Sequence, residues 1–166
     1  MKTRGLYIHI PFCSKKCGYC DFTSFAGNGY QIDDYLSYLE KEFNLYRSSG
    51  SIEDIETIFI GGGTPSILSL SQLERLLSIV RENVDLSKII EYTIESNPGS
   101  LTRDKLELMR AAGLNRLSIG LQASQDHLLS FLERIHTYDD FLESYRLARL
   151  VGFENINIDL MFAFQG

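Results

Sequence analysis

The chain has 166 residues, 44% of them hydrophobic, with 16 Lys and Arg against 22 Asp and Glu and a formal net charge of -6. That length fits one domain with a substantial core, and an acidic balance without a basic stripe disfavours a nucleic-acid partner, whose binding rests on clustered Lys and Arg. The longest apolar runs, such as Ile58-Phe59-Ile60, are too short to span a bilayer, and Met1-Lys2-Thr3-Arg4 leads into a strand rather than a signal-peptide core, so a cytoplasmic protein with reduced thiols and no integral membrane segment is expected.

In chain order, a short apolar strand from Leu6 to Ile10 comes first, followed by a loop holding Cys13, Cys17 and Cys20, all the cysteines of the sequence. Phe22 to Gly29 is rich in turn-forming residues. Ile32 to Tyr46 then carries Leu36, Leu39, Phe43 and Tyr46 at helical spacing, and Ser48-Ser49-Gly50-Ser51 ends that helix. A second strand, Ile55 to Ile60, runs into Gly61-Gly62-Gly63-Thr64-Pro65. Ser71-Gln72-Leu73-Glu74 has the form of a capping box, ahead of Leu76, Leu77 and Val80 on one helical face. The third strand, Tyr92 to Glu95, is broken by Asn97-Pro98-Gly99. Thr102 is the expected N-cap of a helix with Leu106 and Met109 facing inward, closed by Gly113. Arg116 to Ile119 is the fourth strand. A short helix from Ser124 to Leu132 follows, then a longer one capped by Thr137, with Phe141, Tyr145 and Ala148 on one face and Gly152 at its end, before the fifth strand, Asn155 to Asp159. This alternation implies parallel strands joined by right-handed crossovers, hence an α/β wound or barrel-like sheet.

Three thiols spaced C-x3-C-x2-C, with no fourth cysteine, cannot close a disulfide framework, because one sulfur is always left over. They can surround a metal centre. A cubane of four irons usually takes four thiolates, so three leave one iron open to an exchangeable ligand. By count, His9 would complete a three-cysteine, one-histidine zinc tetrahedron. Its direction, however, is set by the strand that carries it rather than by the cysteine loop. Lys15 and Lys16 within that loop either stabilise thiolates or are simply solvated.

The spacing, with Tyr19 just before the last cysteine, resembles the cluster motif of the radical S-adenosylmethionine (SAM) superfamily, in which the amino and carboxylate groups of SAM occupy the open iron. Tyr7-Ile8-His9-Ile10-Pro11-Phe12-Cys13 is similar to the opening of the oxygen-independent coproporphyrinogen III oxidase family, which includes the HemW-type heme chaperones. The resemblance implies a [4Fe-4S] cluster on Cys13, Cys17 and Cys20, SAM as a second cofactor, and a partial (β/α) barrel, usually of six βα units. This chain stops after the fifth strand, so a radical SAM core over 1–166 is expected without the last βα unit or the family's carboxyl-terminal domain. Its Asp159-Leu160-Met161 is followed by Phe162-Ala163-Phe164-Gln165-Gly166 rather than a Gly-Leu-Pro-Gly type segment.

Each predicted strand ends in residues with chemical potential, and in parallel α/β structures those ends share one rim. The Gly-Gly-Gly-Thr-Pro run lacks the pattern of a phosphate loop or a dinucleotide fingerprint and reads alone as a tight turn. By resemblance Gly62, Gly63 and Thr64 line the methionyl amino group of SAM. Glu95, Gln122, Arg134 and Asp159 also match SAM-contacting positions, as do Tyr7 and Tyr19. Arg134 can pair with the SAM carboxylate, while Gln122 and Asp159 can accept bonds from ribose hydroxyls. Singly, each is more often a surface charge or a helix-end salt bridge. His127 and His136 could ligate a porphyrin in principle, or serve as helix-cap or pocket-wall residues.

Within the family, the oxidases decarboxylate propionates through a SAM-derived radical and resemble Cys-x-Cys after the last ligand, whereas this chain has Cys20-Asp21-Phe22, as HemW-type members do. The resemblance therefore implies a heme chaperone, with heme or porphyrin, a reductant protein and an unidentified heme acceptor as partners. An anaerobic coproporphyrinogen III oxidase is the alternative, and a cluster-carrying module without turnover a second one.

Overall fold

The structure is a computed structural model and describes residues 4–27 and 29–163. The leading Met1-Lys2-Thr3, Asn28 of the turn-rich connection and the closing 164–166 lie outside the described residues. In chain order the elements are β1 (Gly5–Ile10), β2 (Phe12–Cys13), β3 (Phe25–Ala26), α1 (Ile32–Ser48), β4 (Thr57–Gly62), α2 (Leu70–Asn83), β5 (Glu91–Ser96), α3 (Arg103–Ala111), β6 (Arg116–Gln122), α4 (Asp126–Phe131), α5 (Tyr138–Leu150) and β7 (Asn155–Leu160).

The main sheet has the order β1-β4-β5-β6-β7, and every neighbouring pair is parallel. Strand order follows chain order without the reversal that marks a doubly wound sheet, so the sheet runs as one wall of a (β/α) barrel. α1 packs on α2, α2 on α3 and α3 on α5.

A period of two along each strand separates two chemistries. Ile8, Ile10, Ile58, Ile60, Tyr92, Ile94, Leu117 and Ile119 are buried in the core with Leu36, Leu76, Leu106 and Phe153 from the helical layer. Each such side chain contributes about 1.5–3 kcal/mol when fully removed from water. The intervening positions, among them Tyr7, His9, Glu95, Ser118 and Asp159, face the other side of the sheet and are polar or aromatic.

Several boundaries differ from expectation. The capping box on α2 is made by Ser69 and Gln72, not by Ser71 and Glu74, because the helix begins at Leu70. β4 runs two residues beyond Ile60, since Gly61 and Gly62 pair with His9 and Ile10. β6 reaches Gln122 through an irregularity between Gly120 and Gln122, where Gln122 takes φ 71°. α4 is shorter than the Ser124 to Leu132 span. Thr102 and Thr137 cap α3 and α5 as expected. Among the described residues no helix is long and apolar enough to cross a membrane.

Candidate functional site

The cysteine loop is fixed at both ends. Beyond β1 the chain keeps pairing with the strand beside it: Gly63 N–H donates to the Ile10 carbonyl and Thr64 N–H to that of Phe12, both at 2.8 Å. A Cβ on Gly63 would lie 2.5 Å from the Phe12 carbonyl oxygen, so only glycine lets these backbones approach so closely. On the far side of the loop, β3 pairs with β2, aligning Cys13 with Ala26. His9 adds a clamp, its Nδ1 against the Tyr7 hydroxyl at 2.9 Å and its Nε2 against the Thr23 carbonyl at 2.8 Å. With both ring nitrogens engaged, His9 is not the fourth member of a zinc set. Among the described residues no three His, Cys, Asp or Glu side chains are grouped to hold a single metal ion.

The three thiols instead line a cavity of about 370 Å³ at the carboxyl ends of the strands, shared with Gly63, Thr64, Glu95, Gln122, Arg134 and Asp159. Residues spread from Cys13 to Asp159 thus converge on one rim, as parallel topology requires. Thr64 Oγ1 lies 3.6 Å from Cys13 Sγ, and Arg134 Nη1 lies 3.7 Å from Cys17 Sγ and 3.4 Å from the Tyr19 hydroxyl. Arg134 Nη2 donates to Asn97 Oδ1 at 2.6 Å and to the Gly120 carbonyl at 2.9 Å. Of the five guanidinium donors that leaves Nε, which is buried without a partner among the described residues. Asp159 Oδ2 accepts from Ser118 Oγ at 3.1 Å, and its Oδ1 from Asn157 Nδ2 at 2.7 Å.

Burial pushes the Glu95 carboxyl up, the Gly62 N–H at 3.0 Å pulls it back, and the charge of Asp159 raises it again. Burial likewise raises the Tyr19 phenol, with Arg134 beside it acting in the opposite direction.

Not every expected residue reaches the cavity. Tyr7 is 55% exposed, its ring stacked on Phe59 and its hydroxyl on His9. Gly62 sits behind the rim, where its N–H meets Glu95. Phe22 lines the cavity mouth and is 65% exposed. Lys15 pairs with Glu133 at 3.5 Å and Lys16 donates to the Phe22 carbonyl at 3.3 Å, so neither loop lysine is purely solvated. His127 is exposed on α4, whereas His136 is only 5% exposed and turned inward to the Leu121 carbonyl at 3.3 Å. Sequence reasoning missed Asn97 and Ser118. Their signal was position alone, on or just past a strand at the rim.

Residues 7–166 match the radical SAM superfamily. The chain belongs to that superfamily. Over 165 residues it is 42% identical to the heme chaperone HemW of Bacillus subtilis (strain 168), taking in 98% of this chain and 43% of that protein. Over 158 residues it is 41% identical to the heme chaperone HemW of Escherichia coli (strain K12), with coverage of 95% and 42%. Among solved structures, the coproporphyrinogen III oxidase HemN of Escherichia coli, a radical SAM enzyme, superposes with a TM-score of 0.85 at 32% identity, over 96% of this chain and 37% of that one. The chain therefore spans about two fifths of the length of the curated relatives it matches.

Radical SAM membership implies a [4Fe-4S] cluster and SAM. The residues present fit both groups. Three thiols free of disulfides surround one space, a glycine keeps the adjacent backbone close, and a buried guanidinium nitrogen without a partner faces the need for an acceptor. Such a cluster, when bound, supplies an electron to SAM. Cys13, Cys17 and Cys20 would hold the cluster, and Arg134 would orient the ligand beside it.

Proposed function

We propose that this chain is the radical SAM core of a HemW-type heme chaperone, acting in porphyrin and heme metabolism in the cytoplasm. The observation that carries the reading is the single rim cavity in which all three cysteines meet Glu95, Gln122, Arg134 and Asp159. On this reading Cys13, Cys17 and Cys20 ligate a four-iron cluster. Gly63 and Thr64 flank the methionyl amino group of SAM, with Gly62 behind them bonded to Glu95, and Gln122 and Asp159 take its ribose hydroxyls. Glu95 and Tyr19 complete the ligand's surroundings, while Tyr7 acts at one remove by holding His9. Arg134 meets the carboxylate through the unpartnered Nε, with Nη1 kept on Cys17 and Tyr19.

Heme as cargo is supported by the HemW relatives and by Phe22 at the cavity mouth, where the oxidases carry a cysteine. A reductant protein and a heme-accepting protein are the partners this reading requires. Of the two histidines considered as porphyrin ligands, His136 is turned inward to the Leu121 carbonyl and His127 is exposed on α4.

The test uses the full-length protein, reconstituted with iron and sulfide under anaerobic conditions. Binding of heme on titration, together with failure to convert coproporphyrinogen III when SAM and a reductant are supplied, is the expected pair of results. Clear turnover overturns the chaperone reading in favour of the oxidase. Stoichiometric zinc without sulfide overturns the cluster itself.

A further inference from the structure

Two cysteine sulfurs receive a hydrogen bond from a residue outside their own loop, Cys13 from Thr64 Oγ1 and Cys17 from Arg134 Nη1. These donors come from different segments, Thr64 just past β4 and Arg134 between α4 and α5, yet both terminate on one side chain. Asn97 Nδ2 donates to Thr64 Oγ1 at 3.1 Å, and Asn97 Oδ1 accepts from Arg134 Nη2 at 2.6 Å. The amide is itself held. The Asn97 N–H donates to Ser66 Oγ at 3.1 Å and the Asn97 carbonyl accepts from Ser100 Oγ at 2.6 Å. Lys105 Nζ ties the carbonyls of Ser66 and Ser100 together at 2.8 and 3.2 Å.

The chemistry of the bridge is directional. A threonine hydroxyl has one hydrogen. By donating to Thr64 Oγ1, the Asn97 amide occupies a lone pair and leaves that hydrogen for Cys13 Sγ. The opposite end of the same amide offers only an acceptor, which fixes the guanidinium so that Nη1 falls beside Cys17 Sγ. Hydrogen bonds to ligating sulfurs offset the negative charge of the reduced cluster and so make it easier to reduce.

We propose that Asn97 is a positioning residue that orients the hydrogen bonds to Cys13 and Cys17 and thereby sets the reduction potential of the cluster. The inference rests on the cluster reading above and goes beyond it, since it assigns a role to a residue that touches neither sulfur.

Asn97→Asp is the diagnostic change. A carboxylate can only accept, so the Thr64 hydroxyl turns toward it and away from Cys13. The full-length protein is reconstituted without SAM, its iron and sulfide are counted, and its midpoint potential is measured by redox titration with spin-resonance detection. Expected is a shift to more negative potential in Asn97→Asp and in Thr64→Val, with Thr64→Ser restoring the parent value. The Thr64→Val shift should shrink to nearly nothing in the Asn97→Asp background, because the bond it removes is already gone. Unshifted potentials at full cluster content overturn the inference, and so do additive shifts in the double variant. Should the Asn97 variants fail to hold a cluster, Thr64→Val alone decides, and an unchanged potential there overturns it. A parent protein that takes up no iron and sulfide removes the cluster reading as well, which separates that failure from the narrower one.

Discussion

The backbone N–H of Gly62 donates to Glu95 Oε2 at 3.0 Å, joining the end of β4 to the end of β5 beneath the cavity floor. Gly62 has φ 115°, and a Cβ there would lie 2.6 Å from the His9 ring, so the bond depends on a backbone that glycine alone can supply.

Glu95 sits above its ordinary pKa because burial outweighs that bond. The folded protein thus holds a proton there that the unfolded chain releases. The resulting stability is present below the unfolded pKa and is lost as pH rises through the folded one. Glu95→Gln, which keeps an acceptor for Gly62, is expected to raise the thermal midpoint of the unloaded protein at neutral pH and to flatten its decline above the ordinary carboxyl value of 4.5. A lower midpoint at neutral pH, with the slope intact, would show that the charged form of Glu95 supports the fold.

Gly63→Ala is expected to destabilise the protein by about 1–3 kcal/mol, the usual cost of forcing atoms into a filled space. The new methyl would meet the Phe12 carbonyl at 2.5 Å and push Cys13 off the rim. Urea unfolding of the unloaded protein reads the first effect, and iron bound per chain after reconstitution reads the second. Unchanged values for both would mean that β2 yields freely.

His136 gives the opposite pH dependence. Burial, helped by the charge of Arg134, pushes its pKa from 6.5 down to about 4. Here the unfolded chain binds the proton and the folded one resists it, so stability is full above the unfolded value and is lost as pH falls toward about 4. The urea midpoint of the parent should therefore drop between about pH 7 and about pH 5 by more than that of His136→Gln. Parallel profiles would place the titrating group elsewhere.

The cysteine loop and the five strands were legible because their signals are local: thiol spacing in one case, and alternation such as Ile8-His9-Ile10 in the other. The α2 cap was not, since Ser69-x-x-Gln72 and Ser71-x-x-Glu74 both fit the same pattern, and only packing of Leu73, Leu76 and Leu77 selects the first. β2 and β3 are two residues each and exist only through pairing across the loop, which no run of propensity announces. Asn97 was hidden for a related reason. Asn-Pro-Gly reads as a turn, and its partners Thr64 and Arg134 stand 33 and 37 positions away. His136 resolved as buried because its carbonyl partner lies 15 residues back on β6.

The alternation along β5 also governs how errors would propagate. A slip of one position against β4 would turn Ile94 toward the cavity and drive Glu95 into the helical layer, exchanging the faces of every residue on the strand. The penalty for that slip falls on the apolar face, where Tyr92 and Ile94 would lose their burial. The accuracy of the polar rim is therefore enforced from behind, by side chains that never meet a ligand. Substitutions on the polar face can alter the chemistry of the cavity while the register stays locked.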